Sequence, residues 1–389
     1  MAVLMSESAP ECEGGRLAFD SPDELGYIVS QMKRLSIKPG LLASHDAGAR
    51  RQVPSAPRRG SIHIALQTGI KPAKVAQIRR LSKRLVVCRG AAAQDLRNAH
   101  VIHCEGPGLD PAQCPNLAFV QTDSSAVHHL VDSPLARSGI TVCNVRGAYT
   151  PAVAEFAISL MLSLTRRLPR CAQLQASSTW VDDYVHGGVR GINCCGKTLG
   201  IIGYGSIGRQ VARIAHAMGM RVMVCKRRPQ DRRQKPGLND GLGDPEGMFP
   251  VSWFSFEQLP RMLPKLDVCM ITLPLTAQTR GLMNGYRLAM LPRRALLINV
   301  GRGGIVDEGA LREALHRGDL AGAALDVLQT EPLPSGSPLW QTPNLIITPH
   351  IASYTDEQPD LAADVLLENL RRWLAGEPLI NVVDFEQGY

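Results

Sequence analysis

At 389 residues the chain is long enough for two domains with separate cores, and its 44% hydrophobic and 20% charged residues are ordinary for a globular protein. No run approaches the ~20 consecutive apolar residues that span a bilayer, so a membrane role is not expected. The net charge of +8 is spread thinly except at Arg50-Arg51, at Arg58-Arg59 and over residues 226–235. Small anionic ligands account for such a balance, and nucleic acid is not expected as a partner.

Residues 1–60 are rich in Ser, Pro, Gly and charge, with 46–60 reading as a linker and one short helix predicted over 23–35. They are expected to form a flexible extension. Acidic residues at Glu7, Glu11, Glu13 and Asp20 argue against an organelle transit peptide. The ten cysteines include no C-x-x-C pair, and adjacent Cys194-Cys195 suit neither a zinc site nor an ordinary disulfide. A reducing, cytoplasmic setting and no metal are the expectation.

From residue 61 the pattern changes. Residues 61–66, 85–88, 101–104, 117–122 and 140–143 read as short strands, and 72–85 has helical spacing. An apolar helix is predicted over 151–168. A second strand series then runs through 198–202, 221–225, 268–272, 295–300, 322–327 and 345–348, and an amphipathic helix over 356–374 could cross back to the first series. Strands alternating with helices imply parallel sheets covered on both faces. The expected architecture is α/β: two Rossmann-like or flavodoxin-like parallel-sheet domains with a cofactor cleft between them. Residues 61–150 plus 350–389 would form one domain and 151–349 the other.

The strand at 198–202 runs directly into Gly203-Tyr204-Gly205-Ser206-Ile207-Gly208, and a helical pattern follows. This is G-x-G-x-x-G between a strand and a helix. The first glycine permits a tight turn, the second lets the backbone approach a pyrophosphate, and the third lets helix and strand pack closely. The helix N-terminus adds free N–H groups for phosphate oxygens. An acid at the end of the next strand would bond the ribose hydroxyls of NAD. Here that strand ends in Lys226-Arg227-Arg228, which favours the 2′-phosphate of NADP, with NAD still possible. A basic surface loop is the competing reading.

Three later segments suit hydride transfer onto a 2-oxoacid. Asn299-Val300-Gly301-Arg302 is a strand end entering a glycine turn, where an arginine can grip a carboxylate with two parallel hydrogen bonds. Asp326 and Glu331 follow another strand, and Thr348-Pro349-His350 follows a third. Ligands of open α/β sheets bind outside the carboxyl ends of strands, so all three segments should face one site.

Residues from about 61 to 389 resemble the D-isomer-specific 2-hydroxyacid dehydrogenases, which include glyoxylate/hydroxypyruvate reductases and phosphoglycerate dehydrogenases. The resemblance rests on Gly203 to Gly208, on Leu273-Pro274-Leu275-Thr276 with Thr279-Arg280, and on the segments 144–155, 299–308, 326–332 and 348–351. It implies an Arg–Glu–His triad at Arg302, Glu331 and His350. His350 would donate the proton to the substrate's carbonyl oxygen. Glu331 would orient the ring and favour the imidazolium. Arg302 would bind the substrate carboxylate and polarise the carbonyl.

The resemblance further implies that Asp326 bonds the nicotinamide carboxamide and that Leu273 and Pro274 line the adenine side. Thr150, Val300 and Gly301 would lie near the cofactor. Ser124, Ser125 and Ala126 would hold the substrate carboxylate through backbone N–H groups. Two departures bear on substrate identity: the family usually has glycine where Ala126 stands and often aspartate where His128 stands. Formate-type members carry glutamine at the position of Glu331, so an acid there favours oxoacid reduction. The expected partners are a small 2-oxoacid or 2-hydroxyacid and a second copy of the chain, as a homodimer. A different class, the NAD(H)-binding transcriptional co-repressors of the same fold, is the alternative. A dehydrogenase of similar fold acting on an amino acid is a further one.

Overall fold

The computed structural model describes residues 53–67, 69–90, 92–106, 108–184, 186–234 and 242–386. The predicted helix over 23–35 lies outside them, as does most of the 1–60 extension.

Two parallel sheets organise the described residues. The first has five strands: β1 (Ile62–Leu66), β2 (Leu85–Arg89), β3 (Val101–Cys104), β4 (Phe119–Thr122) and β5 (Thr141–Cys143), in the order β2-β1-β3-β4-β5. Alternating side chains of β1 serve opposite faces. Ile62, Ile64 and Leu66 enter one core with the helices Pro72–Leu81 and Gln358–Ala375, whereas Ala65 enters the other. The final helix therefore packs on the first sheet. Beyond it, a bridge between Cys143 and Val382 and a bond from Asn144 N to Asn381 O (3.0 Å) seat the C-terminal segment against β5.

The second sheet comprises β6 (Thr198–Ile202), β7 (Arg221–Cys225), β8 (Pro250–Phe254), β9 (Val268–Ile271), β10 (Leu296–Asn299), β11 (Gly322–Leu325) and β12 (Leu345–Ile347), ordered β12-β11-β10-β9-β6-β7-β8. Its central strands β6, β9, β10 and β11 are buried throughout, the signature of a parallel sheet covered on both faces. The helices Thr150–Thr165 and Ser206–Ala217 cover one face, and Leu259–Met262 with Glu308–Arg317 cover the other. Strand order reverses between β6 and β9, which opens a crevice at their carboxyl ends.

Sequence pattern missed β8, a half-exposed edge strand that opens with Pro250; an edge tolerates a missing N–H, but a proline obscures the strand signal. Residues 53–60, read as the end of a linker, are held against the elements of the first sheet. The Trp373 indole donates to Pro54 O (2.7 Å), while Arg84 donates to Gly60 O (2.9 Å) and to Pro57 O. Prolines suggest a linker locally, yet their carbonyls remain acceptors for groups far away in sequence. Among the described residues, no helix is long and apolar enough to cross a membrane.

Candidate active site

The glycine turn follows β6. Gly203 has φ +109°, and a Cβ there would lie 2.9 Å from the Thr272 carbonyl carbon. Thr272 also donates its hydroxyl to Gly203 O (2.7 Å), binding the turn to the end of β9. At Gly208 a Cβ would sit 2.2 Å from Gly203 O, so only glycine lets the helix Ser206–Ala217 begin this close to its strand. Nothing lies within 4 Å of a Cβ built on Gly205, so the turn's outer side is open, as backbone approach by a pyrophosphate requires. The residues present fit a dinucleotide. Leu273 and Pro274 leave β9 on the other side of the crevice, and Thr150 opens the helix Thr150–Thr165 with its hydroxyl buried and unpartnered among the described residues.

At the end of β7 the three cations differ in their surroundings. Lys226 is partly buried and its ammonium donates to Asp231 O (2.5 Å), whereas Arg227 and Arg228 are exposed.

The carboxyl ends of β10, β11 and β12 bring Arg302, Glu331 and His350 together. His350 Nδ1 lies 2.7 Å from Glu331 Oε2, and the other carboxylate oxygen accepts from Leu328 N (2.8 Å). The carboxylate is thereby held at both oxygens, and Nε2 is the nitrogen turned from it. His350 itself sits at φ +56°, a left-handed conformation costly for a side-chain-bearing residue and found at sites where surrounding structure over-determines it. Here its N–H bonds to both Asp326 O (2.9 Å) and Thr348 O (3.0 Å).

Asn299 shapes the arginine turn: its amide donates to Arg302 O (3.0 Å) and its oxygen accepts from Gly301 N (3.0 Å). Arg302 Nη1 bonds Gly301 O (2.6 Å), while its buried Nε has no hydrogen-bond partner among the described residues. Burial pushes the guanidinium pKa down, and the fields of Glu331 and Asp326 oppose that shift. Arginine stays charged regardless, so a buried donor is presented to an anion.

The first sheet contributes the loop after β4. Thr122 Oγ1 bonds Ser124 O (3.0 Å), Ser125 Oγ bonds Val145 O (3.3 Å), and Tyr149 holds Asp123 O (2.7 Å). The Ala126 N–H donates to Ser124 Oγ at 3.1 Å, an internal bond of the loop. His128 follows. Burial, then the fields of Arg302, His129, His350 and Arg280, depress its pKa to about 4, so it is neutral at pH 7. Those fields tie this loop to residues of the second sheet, so the carboxyl edges of both sheets meet at one site.

Sequence reading named Asn299 and Thr348 within motifs but gave neither a role of its own, since polar residues at strand ends are too common to stand out. Folding brings the Thr348 hydroxyl to Asp326 and turns Asn299 onto the arginine loop. Asp244, which bonds Tyr204, lies in a segment with no motif at all.

Comparison with known proteins agrees with this geometry. Residues 158–352 match the family model described as D-isomer specific 2-hydroxyacid dehydrogenase, NAD binding domain. The chain is 35% identical over 263 residues to a glyoxylate reductase of Thermofilum pendens, covering 68% of this chain and 74% of that one. It is 32% identical over 276 residues to a hydroxypyruvate reductase of Blautia hydrogenotrophica, covering 70% and 80%. Among solved structures it is similar to a D-isomer specific 2-hydroxyacid dehydrogenase of Xanthobacter autotrophicus in complex with NADPH, with TM-score 0.69, 32% identity, and 85% and 100% of the two chains covered. An NADPH-dependent glyoxylate/hydroxypyruvate reductase of Sinorhizobium meliloti with bound NADP matches with TM-score 0.65 and 26% identity, covering 84% and 99%. A glycine turn fit for a dinucleotide, a histidine–carboxylate pair beside a half-buried arginine, and these relatives agree: the chain belongs to the NAD(P)-dependent, D-isomer-specific 2-hydroxyacid dehydrogenases.

Proposed function

We propose that this dehydrogenase reduces a small 2-oxoacid of the glyoxylate or hydroxypyruvate kind to the D-2-hydroxyacid, with NADPH preferred to NADH. The observation that carries the reading is the 2.7 Å contact between His350 Nδ1 and Glu331 Oε2, beside Arg302 with its buried, unpaired Nε. With Nδ1 turned to the carboxylate, the exchangeable proton of His350 resides at Nε2 and goes to the carbonyl oxygen. Arg302 binds the carboxylate and stabilises the charge developing on the carbonyl oxygen. Ser124, Ser125 and Ala126 complete the carboxylate site, and the Cβ of Ala126 and the neutral ring of His128 narrow it toward small substrates. The nicotinamide supplies the hydride.

In this reading residues 61–150 with 350–389 carry the substrate, 151–349 carry the cofactor, and residues 144–150 form part of the hinge between them. Gly203 to Gly208 hold the pyrophosphate, Leu273 and Pro274 flank the adenine, and Thr150, Val300, Gly301 and Asp326 lie at the nicotinamide end. Lys226, Arg227 and Arg228 take the 2′-phosphate. The enzyme works as a homodimer in the cytoplasm. The proposed NADP use is supported by three cations where an NAD enzyme places an acid, and by NADPH or NADP in the two similar structures.

The test is oxidation of NADPH and of NADH by the purified protein, each with glyoxylate, hydroxypyruvate, pyruvate and an aromatic oxoacid. NADPH consumption with one small oxoacid is expected. Turnover confined to the aromatic oxoacid refutes the substrate reading, and faster turnover with NADH refutes the cofactor reading.

A further inference from the structure

Between β7 and β8 the chain makes a long excursion whose two described arms, 226–234 and 242–249, are fastened to the start of the helix Ser206–Ala217 by one buried polar cluster. Asp244 is 3% exposed. Its carboxylate accepts from the Tyr204 hydroxyl (2.6 Å), from Met248 N (2.7 Å) and from Phe249 N (3.1 Å). Arg209, the residue after the third glycine, is 1% exposed. Its guanidinium donates to Asp244 O (2.5 Å) on one arm and to Arg232 O (2.7 Å) on the other. The same group lies 4.7 Å from the centre of the Tyr204 ring, and Tyr204 meets Trp253 of β8 edge-on at 5.1 Å.

A buried arginine is tolerated only when its donors are satisfied, and here the acceptors come from the excursion itself. Gly243 makes the contact closer still. It has φ +74°, and a Cβ there would lie 2.8 Å from Gln210 N and 2.9 Å from the Arg209 carbonyl carbon. By contrast, the ion pair of Arg233 with Glu246 between the arms is exposed and contributes little.

The first arm begins with Lys226, Arg227 and Arg228. A basic loop that must order itself around a phosphate loses affinity to that ordering; a loop already docked does not. We propose that Asp244, with Arg209 and Tyr204, is the positioning device for the 2′-phosphate end of the cofactor site. Arg209 grips the basic arm at Arg232 O, and Asp244 ties to Tyr204 the second arm, whose Pro245 O accepts from Gln234 N of the basic arm (2.7 Å). The Asp244 and Arg209 side chains thus hold the basic arm beside the glycine turn without contacting the cofactor, so that discrimination between NADPH and NADH depends on them. The inference rests on the NADP reading above.

The experiment is direct binding of NADPH and of NADH to wild type and to Asp244→Asn, by calorimetry, with tryptic cleavage of the basic arm measured in parallel. The variant should bind NADPH about tenfold more weakly, the scale of one lost buried charge-assisted hydrogen bond, with NADH affinity within about twofold and cleavage faster. Equal weakening of both cofactors, or an unchanged preference, overturns the inference and leaves the NADP reading standing. A wild type with no preference for NADPH overturns the reading and the inference together. Should circular dichroism show that Asp244→Asn does not fold, Gly243→Ala, which pries the second arm, 242–249, from the helix, is judged by the same outcomes.

Discussion

The carboxylate of Asp326 clamps the turn that carries His350, accepting from Ile351 N (3.0 Å), from Ala352 N (3.1 Å) and from the Thr348 hydroxyl (2.7 Å), while its own backbone oxygen accepts from His350 N. At 1% exposure, this acid is buried with three protein donors on its two oxygens. Asp326→Asn leaves one amide oxygen among three donors, and a buried donor left unsatisfied costs about 1–3 kcal/mol. We expect the free energy of unfolding to fall by roughly that amount and kcat to fall about tenfold as His350 loses its fixed position. Denaturant melts and steady-state kinetics measure both; an unaltered kcat would show that the clamp does not govern the histidine.

His350→Gln removes the proposed proton donor while keeping the side chain polar. Oxoacid reduction should drop by about two to four orders of magnitude, with dinucleotide affinity retained. Near-normal turnover in this variant would sink the assignment. Glu331→Gln should cost less, because the ring keeps a hydrogen-bonding neighbour and loses only its anion.

Changing Lys226 to Asp and Arg227 to Gly reverses the charge at the end of β7. The ratio of kcat/KM for NADPH over NADH should fall by about tenfold or more, since charge-assisted contacts are each worth roughly 1.5–3 kcal/mol. If the ratio holds, those cations are only surface.

His103, on β3, gives a pH-linked prediction. Burial holds its imidazole neutral down to about 4, against an ordinary value of 6.5. Below the higher value the unfolded chain takes up a proton that the folded protein refuses. Stability is therefore full above about pH 6.5 and declines as pH falls toward 4, by on the order of 3 kcal/mol from this one group. Denaturant melts at about pH 7 and about pH 4.5 should show a steeper loss for wild type than for His103→Gln. Parallel losses would place the acid sensitivity elsewhere, in the carboxylates.

Much of the molecule was legible because the signals are local. The strands at 198–202 and 221–225 have the bounds of β6 and β7, since buried parallel strands are continuous apolar runs with sharp ends. Gly203 and Gly208 were legible for a related reason: positive φ and close helix–strand contact admit a single residue type, so the constraint is written into the chain. The residues after β10, β11 and β12 could be nominated together because every parallel strand delivers its carboxyl end to the same edge.

What local pattern could not supply depends on residues far apart in sequence. The linker-like prolines at 54 and 57 are acceptors for Trp373 and Arg84. Nothing near Asp244 hints that it lies beneath Tyr204, and one acid among Asp231, Asp240 and Glu246 in a glycine-rich stretch reads as solvated surface. Only the folded turn shows the Asp326 oxygens engaged by Thr348, Ile351 and Ala352. Sequence alone thus determined the α/β class and the glycine turn, and nominated the residues proposed for oxoacid chemistry, because backbone sterics and side-chain periodicity act over a few residues. Tertiary structure alone decided which polar groups are buried together, because desolvation and hydrogen-bond satisfaction depend on neighbours that the chain brings in from elsewhere.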